Sequence, residues 1–174
     1  MEEVILVDAA DRAIGRMEKQ EAHVKGVLHR AFSVFIFNEN DELLLQQRAF
    51  HKYHSGGLWT NTCCSHPAPG EDTAAAAERR LSEEMGFTAP LTPLFTFTYH
   101  AHLDHNLQEH EFDHVFTGRY NGPVKPDPEE VANYAWISRD DLIASVEKHP
   151  ADYTVWFRKI YCRILAEFSG PEQS

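Results

Sequence analysis

Residues 71–87, EDTAAAAERRLSEEMGF, decide the fold. Asp72 or Thr73 is a suitable N-cap, the run of four alanines favours helix, and Gly86 stops it. Arg79 and Glu83 are four residues apart, as are Arg80 and Glu84, so each pair shares a helix face and can form an ion pair. Taken alone, this is a solvated helix with two stabilising pairs. Its spacing to the preceding chain says more: five residues separate Ser65 from Glu71, and seven separate Glu71 from Arg79.

Just upstream lies TNTCCSHP, residues 60–67. Adjacent cysteines are poor disulfide partners. In an extended segment side chains alternate, so Cys64 and His66 point one way and Cys63 the other. A thiol and an imidazole on one face can be a metal site, a nucleophile–base pair, or two neighbouring core residues. Further out, RAFSVFIFNENDELLLQQR (30–48) predicts a hairpin around NEND, and GLWTNTCC predicts a short strand. PLFTFTYHAHL and EHEFDHVFTGRY alternate like strands with one buried face, and VANYAWIS adds another. Ser138 and Asp141 form a capping box for the helix RDDLIASVEKH, and YTVWFRKIYCRILAEF is a long amphipathic helix. Strands interrupted by one helix and closed by two predict an α+β sandwich.

The chain has 174 residues, 43% apolar and 25% charged, which suits one domain spanning 1–174 with a sizeable core. No run is apolar enough to span a bilayer, and the acidic start MEEVILVDAADR is unlike a secretory signal. Three cysteines, two of them adjacent, argue against a disulfide framework and for a reducing cytoplasm. No coiled coil or large apolar stripe asks for a partner, so a monomer is expected. The net charge of −11 and the lack of a basic patch exclude a nucleic-acid binder. An anionic ligand must then be drawn in by a local cluster of Lys and Arg or by bound metal.

Eleven histidines are many. Glu109 and Glu111 are two apart on a predicted strand and face one side, and imidazole with carboxylate suits manganese, magnesium or zinc. His51, His54 and His149 read as surface or core decoration. The same reading is preferred for His100, His102, His105, His110 and His114, with a second zinc site as the alternative.

The helix pattern resembles the Nudix box: glycine, five residues, glutamate, seven residues, then Arg-Glu-apolar-x-Glu-Glu-x-Gly-apolar. Two positions depart from it. Ser65 replaces the glycine, and Arg80 replaces a metal-binding glutamate, which weakens a hydrolase reading while keeping a planar fork for diphosphate. LHRAFSVFIFN, LLLQQR, WTNTCCSHP, ERRLSEEMG and EHEFDHVF stand in the same order as in the type 1 isopentenyl diphosphate isomerases. The resemblance runs from about residue 3 to Trp156 and implies a Nudix-like α/β/α sandwich with a mixed sheet.

That resemblance implies one metal, Mn2+, Zn2+ or Mg2+, held by His23, His29, His66, Glu109 and Glu111. It implies a second, Mg2+, held by Glu84 and the substrate's diphosphate, with Lys19, Arg48, Lys52 and Arg80 gripping the phosphates. It implies interconversion of isopentenyl and dimethylallyl diphosphate, in isoprenoid biosynthesis, by protonation to a carbocation and deprotonation. That chemistry needs an acid, a base and a dry pocket. Cys64 and Glu111 match the proton-transfer pair, Tyr99 a relay tyrosine, and Trp156 an indole facing the cation. A free thiol titrates near ~8.5, and a metal and several cations close by can lower it. The competing readings are a Nudix hydrolase acting on a nucleoside diphosphate derivative, and a noncatalytic zinc module built on residues 100–114.

Overall fold

Two strands and a short helix precede the first hairpin expected from the sequence. In the computed structural model, which describes residues 2–168, β1 (Glu3–Val7) and β2 (Ala13–Glu18) pair antiparallel and lead into α1 (Lys19–Lys25). Residue 1 and residues 169–174, the ends of the expected 1–174 domain, lie outside the described residues. Glu18 caps α1 by accepting the Gln20 N–H, and Gly26 ends it in the left-handed region at φ 68°.

The expected hairpin follows as β3 (His29–Phe37) and β4 (Leu43–Arg48). Next come β5 (Trp59–Thr60), β6 (Cys63–Ser65), α2 (Thr73–Met85), β7 (Thr92–His102) and β8 (Gln108–Arg119). The chain closes with β9 (Val131–Ile137), α3 (Arg139–Lys148) and α4 (Val155–Phe168). Asp72 accepts the Ala75 N–H at 3.0 Å at the start of α2, and Ser138 accepts the Asp141 N–H at 3.2 Å at the start of α3.

The sheet is mixed, as the resemblance implied. β3 runs parallel to β8 along its whole length and antiparallel to β6, while β8 pairs antiparallel with β7, and β4 pairs with β5 and β9. β3 is buried on both faces because helices cover both, which explains its apolar run from Val34 to Phe37. Phe32, Val34 and Ile36 pack with Ala76, Ala77, Leu81 and Met85 of α2. Phe35 and Phe37 pack with Leu142, Phe157 and Ile164 of α3 and α4. Each fully buried Phe or Leu contributes about 1.5–3 kcal/mol of transfer free energy to these two layers. The result is an α/β/α sandwich.

Register then gathers the chemistry at one end of the sheet. Glu111 of β8 stands opposite His29 on one side and Tyr99 on the other, and Cys64 stands opposite Ser33. A strand presents alternate residues to one face. Glu109, Glu111 and Asp113 accordingly point into the same interior and are all buried.

Candidate active site

Four imidazoles and two carboxylates meet behind the sheet end. His23 comes from α1, His29 from the start of β3, His66 from just after β6, and His54 from the loop between β4 and β5. Candidate ligand atoms of His23, His29, His66 and Glu111 lie within 4.8 Å of one another, as do those of His23, His54 and Glu109. His29 Nδ1 lies 2.8 Å from the Val27 carbonyl, and His23 Nδ1 lies 2.8 Å from the Lys19 carbonyl. A carbonyl only accepts, so both Nδ1 atoms carry the proton and both Nε2 atoms turn bare lone pairs inward. Those two Nε2 atoms are buried without a hydrogen-bond partner. Orphaned acceptors are costly unless something fills the space between them. A divalent cation fits: imidazoles fixed from behind by backbone carbonyls are the arrangement that orients metal ligands.

The carboxylates differ. His66 Nε2 is 2.9 Å and His29 Nε2 3.3 Å from Glu111 Oε2. Burial pushes Glu111 up, but the two imidazoles beside it, His29 and the hydrogen-bonded His66, outweigh burial and hold the carboxyl well below its usual range. Burial and the charge of Glu111 raise Glu109. The Tyr99 hydroxyl lies between them, 2.6 Å from Glu109 and 2.7 Å from Glu111.

On the facing wall, Cys64 donates its S–H toward Asn61 Oδ1 at 3.0 Å and lies 3.6 Å from Ser33 Oγ. The orientation of Asn61 is fixed, because its amide donates to the Val34 and Cys63 carbonyls, both at 3.0 Å. Trp156 donates Nε1–H to the sulfur at 3.2 Å. In the metal-free protein, burial pushes the Cys64 thiol up, and the negative charge of Asp113 adds to it. Asp113 itself, raised by burial and by Glu111, accepts from Ser33 at 2.8 Å. Cys63 points the other way, into the core under α2.

Cations form the mouth. Lys19 pairs with Glu2 at 3.1 Å, Lys52 with Glu130, and Arg80 with Glu84 and Glu83, both at 2.7 Å. Arg48 donates to the His54 carbonyl at 3.1 Å and lies over the Trp156 ring. The buried Nε atoms of Arg48 and Arg80 have no hydrogen-bond partner among the described residues. One cavity of about 150 Å³ is lined by Cys64, His66, Glu109, Glu111, Tyr99, Trp156, Glu84 and all four of these cations. His23 and His29 stand behind its wall, fully buried.

The structure thus brings every sequence-predicted site residue to one place. It also adds others. His54, read from the sequence as surface or core decoration, is buried at the cavity wall, 3.8 Å from Glu109, and burial lowers its pKa to about 2. Tyr53, Ser33, Asn61, Asp113 and Glu130 also went unnoticed. Asn61 had a signal, standing inside the quoted TNTCCSHP; the loop residues Tyr53 and His54 had none, because a loop has no periodicity to read. None of the histidines between 100 and 114 joins a cluster of three candidate ligand atoms among the described residues. His100 instead stacks on His110, and His114 pairs with Asp11 at 2.8 Å.

The model of the NUDIX domain family matches residues 27–160. The isopentenyl-diphosphate Delta-isomerase of Pectobacterium atrosepticum is 55% identical over 93% of this chain and 90% of its own. The protein of the same name from Serratia proteamaculans is 52% identical over 91% and 89%. Among solved structures, a MutT protein from Methanosarcina mazei superposes with a TM-score of 0.63, covering 82% of this chain and 96% of that one at 22% identity. A MutT NUDIX hydrolase from Burkholderia pseudomallei gives 0.60, covering 75% and 93% at 19% identity. These two likenesses show the fold. No helix among the described residues is long and apolar enough to cross a membrane.

Proposed function

Because the chain belongs to the isopentenyl-diphosphate Delta-isomerase family of NUDIX-domain proteins, we infer that it interconverts isopentenyl and dimethylallyl diphosphate, with Cys64 and Glu111 as the proton-transfer pair. The observation that carries the assignment of roles is that both groups line one cavity whose mouth is ringed by Lys19, Arg48, Lys52 and Arg80.

The reaction adds a proton to the terminal methylene carbon of the alkene, which leaves a tertiary carbocation, and removes a proton from the methylene on its other side. Two proton-transfer groups, one cation-tolerant surface and exclusion of water are required. Cys64 and Glu111 exchange the protons. Tyr99 bridges Glu109 and Glu111 and fixes the carboxylate. The Trp156 ring already accepts the Arg48 guanidinium on its face, and a π surface of that kind attracts positive charge. Arg48 and Arg80 offer their unpartnered Nε donors to the diphosphate. His23, His29, His66, Glu109 and Glu111 would hold a divalent ion, Mn2+, Zn2+ or Mg2+, which supplies fixed positive charge beside Glu111. Glu84 would hold a Mg2+ shared with the phosphate oxygens.

The test is incubation with isopentenyl diphosphate and magnesium in deuterated water. Deuterium in the methyl groups of dimethylallyl diphosphate, seen by NMR, is the expected result. Recovery of unlabelled substrate, or release of phosphate, overturns the reading.

A further inference from the structure

The loop between β4 and β5 brings one more imidazole to the metal cluster than the family resemblance supplied. We propose that His54 is a fourth imidazole ligand of the same metal ion that His23, His29 and His66 address; the inference rests on the metal-centre reading above.

The two ligand clusters share His23. Its Nδ1 is committed to the Lys19 carbonyl, so it has one lone pair, on Nε2, and can serve one ion. Two ions cannot both take His23, and since the reading above already gives His23 and Glu109 to one ion, the group of His23, His54 and Glu109 sets His54 beside that ion. His54 has the same standing toward Glu109 as His23 does: their Nε2 atoms are 3.8 Å and 3.7 Å from Glu109 Oε2. The His54 side chain is 5% exposed, and its ring centroid is 5.3 Å from that of His23.

The loop around it is built to hold that position. Ser55 Oγ lies 3.1 Å from His54 Nδ1, which leaves Nε2 for the cluster. The Ser55 N–H donates to Asp104, at the tip of the β7–β8 hairpin, at 3.1 Å, and Arg48 grips the His54 carbonyl.

The experiment titrates Co2+ into the metal-stripped full chain, with a chromophoric chelator as competitor, and records affinity and visible absorption. His54→Asn is expected to weaken Co2+ at least ~10-fold and change the spectrum, since even residues behind a ligand cost 10–100-fold when replaced. The exposed His51→Asn is the control, and His29→Asn tests the centre itself. If His29→Asn weakens binding while His54→Asn matches wild type, this proposal falls and the centre stands. If neither variant weakens binding, the centre itself falls and the proposal with it. Should His54→Asn melt too low to titrate, pulsed EPR of the Mn2+-loaded wild-type chain decides: coupling to four imidazole nitrogens supports the proposal, and three overturn it.

Discussion

Cys63 and Cys64 are chemically identical neighbours with opposite surroundings. Cys63 is fully buried among Phe32, Ala76 and Leu81, where it serves as a small apolar filler. Cys64 meets Asn61, Ser33 and Trp156 at the cavity wall. Cys64→Ala should lower the isomerisation rate about 10²–10⁴-fold, the usual worth of a general acid or base, with an unchanged melting temperature. Cys63→Ala should keep the rate and lose about 1 kcal/mol of stability, measured by denaturant unfolding. If Cys63→Ala were the inactive variant, the proton-transfer role of Cys64 would be wrong. This parity was legible because a strand alternates its faces, and the same rule put Glu109 with Glu111. It also reaches Asp113, the next residue on that face, which the sequence reading left out although its spacing from Glu111 is the same two residues.

At the scale of the element, α2 shows why its sequence spacing takes the form it does. The sequence paired Arg79 with Glu83, and that contact exists at 3.1 Å. The stronger contact runs backward: Arg79 grips both oxygens of Glu71, at 2.8 and 2.9 Å, across the start of the helix. Glu71 also accepts the Ala68 N–H at 2.9 Å, so the pair ties the segment after His66 to the helix. The seven-residue interval between Glu71 and Arg79 is thus a structural brace. The Arg79 hydrogen bonds hold Glu71 below the usual carboxylate range. A carboxylate depressed in the folded state stabilises above its unfolded pKa, ~4.3, and loses that contribution as pH falls through the folded value. Glu71→Gln should therefore melt lower than wild type at pH 7, by at most ~1 kcal/mol for so exposed a pair. The gap should close below pH ~4; a gap that persists there would mean the brace is not electrostatic. The β1–β2 pair and α1 are harder to foresee. β2 is exposed along most of its length, so it lacks the alternation that reveals a strand, and α1 has only seven residues.

Across the whole molecule, the decisive quantity is charge. The chain carries −11, and the cations at the cavity mouth do not offset this locally, because Lys19, Lys52 and Arg80 are each already paired with a carboxylate. The composition indicated that an anion must be drawn in by local cations or by metal; the pairing shows that cations alone meet an almost neutral balance. Sequence could place these four residues by family likeness and pair Arg80 with Glu84 by spacing, but not the counter-ions of Lys19 and Lys52, because Glu2 and Glu130 reach them from remote segments. A diphosphate entering without divalent metal faces Glu84 and Glu130 as rivals for the same guanidinium and ammonium groups. With a divalent ion on Glu84, that carboxylate changes from rival to anchor. Inorganic pyrophosphate should accordingly bind at least ~10-fold more weakly in EDTA than in magnesium by calorimetry, a difference of about 1.4 kcal/mol. Glu84→Gln should give a distinct signature, binding pyrophosphate no worse than wild type in EDTA, since a competitor for Arg80 is gone, yet gaining little from magnesium. A variant that kept the full magnesium response would remove Glu84 from the phosphate end of the site, and equal wild-type affinity with and without metal would show that the four cations suffice.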